Sequence, residues 1–394
     1  MARQVKDWID GFITLTENSE PPFNYRLWCA ISTIAAVLQR KVSFPWGSLT
    51  FYPNMYIVLV GPPAARKGTA MAPAKDFLRE AGIKMAAEAT TRESLIRELK
   101  NANASEIDEA GKLKMHSSLT IFSPELTVFL GYKNLQLISD LTDWFDCRNQ
   151  WTYRTKNMGT DEIIGVFVNI IGATTPDLIR SSLPLDAIGG GLTSRMIFVY
   201  EQDKGKIVPA PFYSKEEIEL KRNLHSDLEE ILMMKGEFHP TKKFVNDYIE
   251  WYTNQSKNPP FKCQHFEGYL ERRALHVMKL CIICSASRSD KMIIDQIDLE
   301  RATKIIERTE VNMVKTFSGV GQMSHAATLS KVMNEIGLVG QTTMGELLVK
   351  FHNDADKFLM TKIIETLEEM KFITIKQTPD DIIIKHKPMI GSLA

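Results

Sequence analysis

No charge of either sign predominates in this chain: Lys and Arg number 48, Asp and Glu 48, and the formal net charge is zero. Such a balance provides no global field for nucleic acid or a membrane surface, so any contact with either has to be local. Cysteine is scarce. Of the five, Cys29, Cys147, Cys263, Cys281 and Cys284, only the last two lie close together, in LCIICSAS, which reads as a buried helix. A zinc site needs about four suitably spaced ligands, and with no second pair and no His-x-x-x-His the cysteines read as core packing. The eight histidines are scattered, and His265 and His276 read as structural. Long apolar runs are missing as well: MARQVKDWID has no signal-peptide core, and WCAISTIAAVLQ is too short to span a bilayer. The expectation is a soluble cytoplasmic protein without membrane contact. Neither internal repeats nor low-complexity tracts occur.

What is present is enough apolar side chain, 44% of 394 residues, for cores in two to four domains. Residues 1–45 read as helices, and FNYRLWCAISTIAAVLQRK is apolar on most faces. From MYIVLV at 55 onward, strand-like runs alternate with helical ones: IKMAAEA at 83–89, TRESLIRELKNA, SLTIFSPEL at 118–126, SDLTDWFDC with Ser139 or Asp140 as N-cap, GVFVNIIGATTPD at 165–177 and RMIFVYEQ at 195–202. Strands apolar on both sides and alternating with helices indicate a parallel sheet covered on both faces, an α/β fold of three αβα layers. From about 212 the pattern is purely helical, and SGVGQMS at 318–324 reads as a hinge. Three helices and two strand-like pieces, ITIKQT and IIIKHK, follow in the order of a winged-helix module. The resulting division is 1–52, N-terminal helices; 53–210, α/β core; 211–320, helical region; 321–394, winged-helix-like domain.

Residues 55–70, MYIVLVGPPAARKGTA, place a strand, a turn and a helix start with a lysine in sequence, the layout of a phosphate-binding loop. Gly61, Lys67, Gly68 and Thr69 are its candidate ligands. Backbone N–H groups and a helix N-terminus cradle the anion, and the lysine bridges terminal phosphates. Against G-x-x-x-x-G-K-[ST], Arg66 replaces the second glycine and Gly68 the hydroxyl, so Lys67-Gly68-Thr69 resembles the adenylate kinase version, with Thr69 on a phosphate oxygen and near Mg²⁺. Arg66 enters left-handed backbone space less cheaply than glycine, so it implies ordinary geometry there or a distorted loop. About fifty residues on, LTIFSPEL ends in Glu125, where a carboxylate would polarise attacking water. Pro124 stands where an acidic metal ligand is usual, with Ser123 as a substitute. IIGATTPD then offers Thr174 and Thr175, IGGGLTSRMIFVY places Arg195 before the last strand, and YLERRALHV sets Arg272 and Arg273 at a helix head.

Taken together, this order resembles an AAA+ ATPase across about residues 53–315. The resemblance implies ATP and Mg²⁺ as cofactors, Lys67 and Thr69 as phosphate ligands, Glu125 as the catalytic carboxylate and Thr175 as first sensor. It makes Arg195 an arginine finger acting across a subunit boundary and Arg272 the lid sensor, with Arg273 close behind; a planar cation suits the spread charge of a phosphoryl-transfer transition state. Each of these arginines also has a plain reading as a surface cation or salt-bridge partner. Between SDLTDWFDC and VFVNIIGATT, the stretch RNQWTYRTKNMGTDEIIG reads as a hairpin with Asn157 and Gly159 at its tip. That resembles the pre-sensor-1 hairpin of MCM-like and superfamily III helicases, and more loosely helicase-like proteins of phages and mobile elements, for which the location is the host-cell cytoplasm. Lys156 and Arg154 would then grip single-stranded DNA, with Trp151 and Tyr153 stacking or packing. The leading reading is a ring-shaped, hexameric DNA helicase or translocase of replication. A second is an ATP-switched initiator or helicase loader that docks a replication protein through the C-terminal domain. A third is a structural or interaction protein with a relic nucleotide site.

Overall fold

The computed structural model describes residues 3–88, 90–107, 111, 113–132, 134–155, 159–183, 189–317, 326–378 and 381–387. The chain forms two compact units that divide after residue 318. In the first, helices α1 (Trp8–Leu15) and α2 (Phe23–Leu38) precede strands β1 (Val42–Trp46), β2 (Leu49–Phe51) and β3 (Tyr56–Val60). Then come α3 (Lys67–Glu80), α4 (Arg92–Asn101), β4 (Asn103–Ile107), β5 (Leu113–Ser123), α5 (Leu126–Leu130) and α6 (Leu135–Phe145). A hairpin of β6 (Gln150–Thr155) and β7 (Gly159–Ile164) leads into β8 (Val166–Thr174), α7 (Pro176–Ser182) and β9 (Met196–Tyr200). The remainder is α8 (Lys215–Met233), β10 (Gly236–Glu237), β11 (His239–Pro240), α9 (Lys242–Lys257), α10 (Glu267–Arg288), β12 (Ile293–Ile294) and α11 (Gln296–Met313).

The central sheet has the order β4-β5-β8-β3-β9. β5, β8, β3 and β9 run parallel, and β3, β8 and β9 are buried from end to end, as strands covered on both sides must be. Register identifies the covering layers. Tyr56, opposite Ile170, donates its hydroxyl to the Leu141 carbonyl on α6 at 2.8 Å. Asn169, one residue along, donates to Ser32 on α2 at 3.1 Å. Successive strand residues point to opposite faces, so α6 and α2 lie on opposite sides of the sheet. The protein is therefore α/β with parallel strands between helical layers.

Three local expectations are corrected. β5 begins at Leu113, five residues before the apolar run, and pairs antiparallel with β4 as a hairpin. The outer edge of its second half is taken by the 84–86 stretch, where Met85 bridges Thr120 in parallel. The helix expected to start at Ser139 or Asp140 starts at Leu135 instead, because the Asn134 side chain accepts the Leu137 N–H and caps it. Asp140 is inside the helix, paired with Arg92 at 2.6 Å. Residues 211–317 are not purely helical either: β10 joins β1 in parallel, and β11 joins β12. The first fifty residues share the core of the unit, since every residue of α2 from Tyr25 to Leu38 is buried. All five cysteines are free thiols, and all but Cys263 are buried.

The second unit contains α12 (Ala326–Val339), β13 (Gln341–Thr343), α13 (Met344–Lys350), α14 (Lys357–Glu369), β14 (Ile373–Gln377) and β15 (Ile382–His386). Its three strands form an antiparallel sheet of order β13-β15-β14. Val332, Ile336, Leu347, Met360, Leu367 and Ile384 fill its core. Periodic apolar residues on α12 and α14 and the alternation in β15 supply those positions. The proposed hinge at 318–324 lies outside the described residues. Among the described residues, no helix is long and apolar enough to cross a membrane.

Candidate functional site

The C-terminal edge of the parallel strands gathers five of the residues singled out in the sequence. β3 ends at Val60, opposite Thr174 at the end of β8, and Ser123 at the end of β5 lies opposite Gly172. Gly61 and Thr175 follow these strand ends directly, and Glu125 follows Ser123 after Pro124. In open α/β sheets ligands bind at this edge, where strand order changes direction.

Gly61 is required by space. A Cβ there would lie 2.5 Å from both the Glu201 carbonyl oxygen and the Tyr25 hydroxyl, and that hydroxyl donates to the Val60 carbonyl at 2.7 Å. Gly61→Ala is therefore expected to cost about 1–3 kcal/mol through forced displacement of the turn, measured as a lower midpoint in urea. An unchanged midpoint would show that the turn yields freely.

After Gly61 the loop turns through two left-handed residues, Ala64 (φ 68°) and Arg66 (φ 63°, ψ 26°). Arg66 thus takes up the backbone conformation that glycine enters most easily, at a cost of roughly 1–2 kcal/mol. Its side chain is held by Glu20 at 2.6 Å, and Glu20 also meets Lys204 at 3.2 Å. Of the two alternatives for this position, strained backbone is the one realised.

Lys67 opens α3, which has no side-chain cap. The first intrahelical bond there runs from Ala70 N–H to the Arg66 carbonyl, so the N–H groups of Lys67, Gly68 and Thr69 have no helical acceptor. The Lys67 ammonium donates to the Gly61 and Pro62 carbonyls at 2.7 and 2.9 Å. Burial lowers its pKa, and the Glu125 carboxylate opposes that shift. A Cβ on Gly68 would meet nothing within 4 Å, so space is open beside the helix start. Thr69 faces a cavity of about 290 Å³ lined also by Thr16, Ser19, Arg26, Pro73 and Tyr213. Lys67 does not line that cavity; standing two residues later on the helix, Thr69 points elsewhere.

Glu125 occupies the N-cap position of α5 and is exposed. Its carbonyl accepts Val128 and Phe129 N–H at 3.0 and 3.1 Å. Its carboxylate has no hydrogen-bond or ion-pair partner among the described residues, which leaves it available beside Lys67. Thr175 caps α7, accepting the Leu178 N–H at 3.3 Å. Thr174 is buried, with its hydroxyl 3.5 Å from that of Thr127. Ser123 is buried and Pro124 exposed.

The two arginines lie elsewhere. Arg195 precedes Met196, which pairs with Tyr56 at the opposite end of β3 from Gly61, about 17 Å away along the strand at 3.3 Å per residue. Its guanidinium bonds Asp146 at 3.0 Å and the Gly191 carbonyl at 2.9 Å, leaving the side chain 11% exposed. Arg272 on α10 sits in the field of Arg195 and Asp146; burial lowers its pKa first, and Arg195 adds to this. The structure therefore brings Arg272 to Arg195 and not to Lys67 of the same chain. Arg273, the neighbouring candidate, is consumed by a buried pair with Glu310 at 2.7 Å. No local signal in the sequence marks Glu20, Tyr25 or Asp146, whose contacts all span long stretches of chain.

The hairpin expected before β8 is present. Strand alternation separates its two kinds of residue. Trp151 and Tyr153 share one face, where Trp151 meets Trp144 at 5.4 Å and Arg92 lies over Tyr153 at 4.8 Å, so these aromatics pack. Arg154 is exposed on the other face, with its Nε donating to Thr160 at 3.0 Å. Lys156 and Asn157, assigned to the tip, lie outside the described residues; Gly159 has φ 80°.

Burial also sets the acid limit of the fold. His276 is pushed down to about 3 and His116 to about 4, each chiefly by loss of water. Their unfolded values are near 6.5. Between about pH 4 and 6.5 the unfolded chain binds protons that the fold does not, so stability falls as pH drops through that window. The slope is roughly 1.4 kcal/mol per pH unit per group. Urea midpoints measured from pH 7 to 4 should drop, and His276→Phe should flatten the decline.

No protein-family model matches the chain, and no curated protein matches it at a significant level.

Proposed function

We propose that the protein is an AAA+ P-loop ATPase that works as an ATP-dependent DNA helicase or translocase in replication, in a ring-shaped oligomer. The observation that carries this reading is the uncapped start of α3 at the sheet's C-terminal edge, with Lys67 inside it and the unpaired Glu125 carboxylate nearby. Three N–H groups without helical acceptors, a half-buried ammonium and open space at Gly68 fit a phosphate chain. The parallel order, with β8 inserted between β3 and β5 and the 84–86 stretch at the edge, agrees with this class.

Mg²⁺, when bound with ATP, would neutralise phosphate charge. Among the described residues no cluster of three His, Cys, Asp or Glu side chains is arranged for a metal, but Mg²⁺ on a nucleotide keeps several waters and needs only one or two protein groups. Thr69, in the first turn of α3, is the protein group assigned to Mg²⁺ on this reading, and its side chain has to turn from the cavity that it lines to serve. Lys67 holds the terminal phosphates by giving up its two loop carbonyls. Glu125 accepts a proton from the attacking water. Arg195, with Arg272 beside it, faces away from its own loop, and on this reading the two serve the loop of a neighbouring copy. Arg154 and Lys156 contact single-stranded DNA, and the second unit acts as a winged-helix module.

The size of the protein in solution, measured with and without ATP, Mg²⁺ and single-stranded DNA, tests this reading together with phosphate release. Nucleotide-dependent assembly with DNA-stimulated release is expected; a monomer that neither binds nor hydrolyses ATP would overturn it. One observation favours the second reading, an ATP-switched initiator or loader: Arg195 is tied to Asp146 and must leave that pair to act. Slow hydrolysis with ATP-dependent assembly and no stimulation by DNA would select it.

A further inference from the structure

A second polar cavity, of about 560 Å³, opens at the other end of the sheet, among β1, β2, the β4–β5 hairpin, β10 and the root of the β6–β7 hairpin. Arg40, Lys41, Lys114 and Lys235 line it, against two carboxylates, Glu106 and Glu237. Three of these cations are held by neutral oxygens. Arg40 donates to the Cys147 carbonyl at 2.8 Å and to Asn149 Oδ1 at 2.7 Å. Lys41 donates to the Leu232 carbonyl and Lys235 to the Ile107 carbonyl. These bonds fix the charges in place; of the two carboxylates, Glu106 acts on Lys41. His116, 3% exposed, stands in the wall. Its Nδ1 lies 2.8 Å from the Ser118 hydroxyl, and its Nε2 and the Arg40 Nε have no partner among the described residues.

Packing keeps the arrangement in register. Gly165 has φ +60°, and a Cβ on it would lie 2.5 Å from the Met115 carbonyl oxygen and 3.0 Å from Arg40 Nη1. Arg40 also stacks over Tyr52 at 4.5 Å. The guanidinium is thus clamped between a glycine and a ring at the cavity wall.

We infer that this cavity is an anion site for a phosphate group, separate from the loop at 61–67. A clamped guanidinium, two anchored ammonium groups and an unpaired imidazole nitrogen match an anion of several acceptor oxygens. Two sources carry that chemistry: free phosphate, and the backbone of a nucleic-acid strand. The inference does not rest on the proposed ATPase reading, because none of its residues belongs to the loop.

The test uses the full chain carrying Lys67→Ala, so that binding at the loop is suppressed. Titration calorimetry with inorganic phosphate and with a single-stranded oligonucleotide is compared among this parent, Arg40→Gln and Lys235→Glu. Lys235 is exposed, so its replacement leaves folding intact, and thermal melts check Arg40→Gln. A drop of about tenfold in phosphate affinity in both variants is expected, since each removes one charge-assisted hydrogen bond to the anion. A parallel loss for the oligonucleotide supports the site with nucleic acid as its source; loss for phosphate alone supports it with free phosphate. Absence of phosphate binding to the parent, or affinity unchanged by Lys235→Glu, overturns the inference.

Discussion

Glu125→Gln is expected to cut ATP turnover by about 10²–10⁴-fold, the usual contribution of a positioned general base, while ATP still binds. The reasoning is geometric. The amide keeps the side chain's shape and leaves the Glu125 carbonyl holding the first turn of α5, where it accepts Val128 and Phe129 N–H. What disappears is the negative charge that acts on Lys67. Phosphate release measures turnover, and the thermal shift with ATP and Mg²⁺ measures binding. Lys67→Ala, by contrast, should remove the thermal shift as well, because that ammonium is the only charged group among the described residues seated inside the turn, on the Gly61 and Pro62 carbonyls. Full turnover by Glu125→Gln would take the catalytic carboxylate away from this position and with it the main support for a hydrolytic site.

Arg273→Met should destabilise the first unit by about 3–5 kcal/mol, the cost of leaving one partner of a buried ion pair uncompensated. Arg273 and Glu310 are each 4% exposed as side chains. Both guanidinium edges are used: Nε to Glu310 Oε1 at 2.7 Å and Nη2 to Oε2 at 2.9 Å. Tyr269 donates to the same carboxylate at 3.0 Å, and Trp251 lies 5.4 Å from the guanidinium. With arginine gone, a tyrosine hydroxyl is left as the partner of a buried anion. Neutralising that anion should restore most of the loss, so Arg273→Met with Glu310→Gln is expected close to the parent in urea unfolding. A single variant as stable as the parent would mean that water reaches Glu310.

How far the sequence reaches differs from element to element. MYIVLV, GVFVNIIGATT and RMIFVY were legible as strands because buried parallel strands are continuous apolar runs, and β3, β8 and β9 match them within a residue or two. The start of β5 was not legible, because Leu113, Lys114 and Met115 are exposed and held by pairing with β4, which no apolar pattern announces. The N-terminus of α6 was misplaced because Ser139 and Asp140 are good caps in general, yet the buried stripe of the helix already includes Leu137 and Ile138, ahead of both, and Asn134 caps it. At the site, the turn itself was readable from Gly61 and Lys67. The geometry of Arg66 was not, since an arginine in left-handed space is tolerated only where something distant, here Glu20, secures it.

The sequence by itself determined the α/β character, the position of the turn at 61–66 and the hairpin before β8, because those depend on residues within a few positions of one another. Only the tertiary structure decided which charges remain available. Arg195 is occupied by Asp146, 49 residues earlier, Arg273 by Glu310, 37 residues later, and Arg40 with Lys235 faces an open cavity. The physical reason is that a charged side chain is settled by whatever packing brings within about 4 Å of it, and chain separation says nothing about that distance.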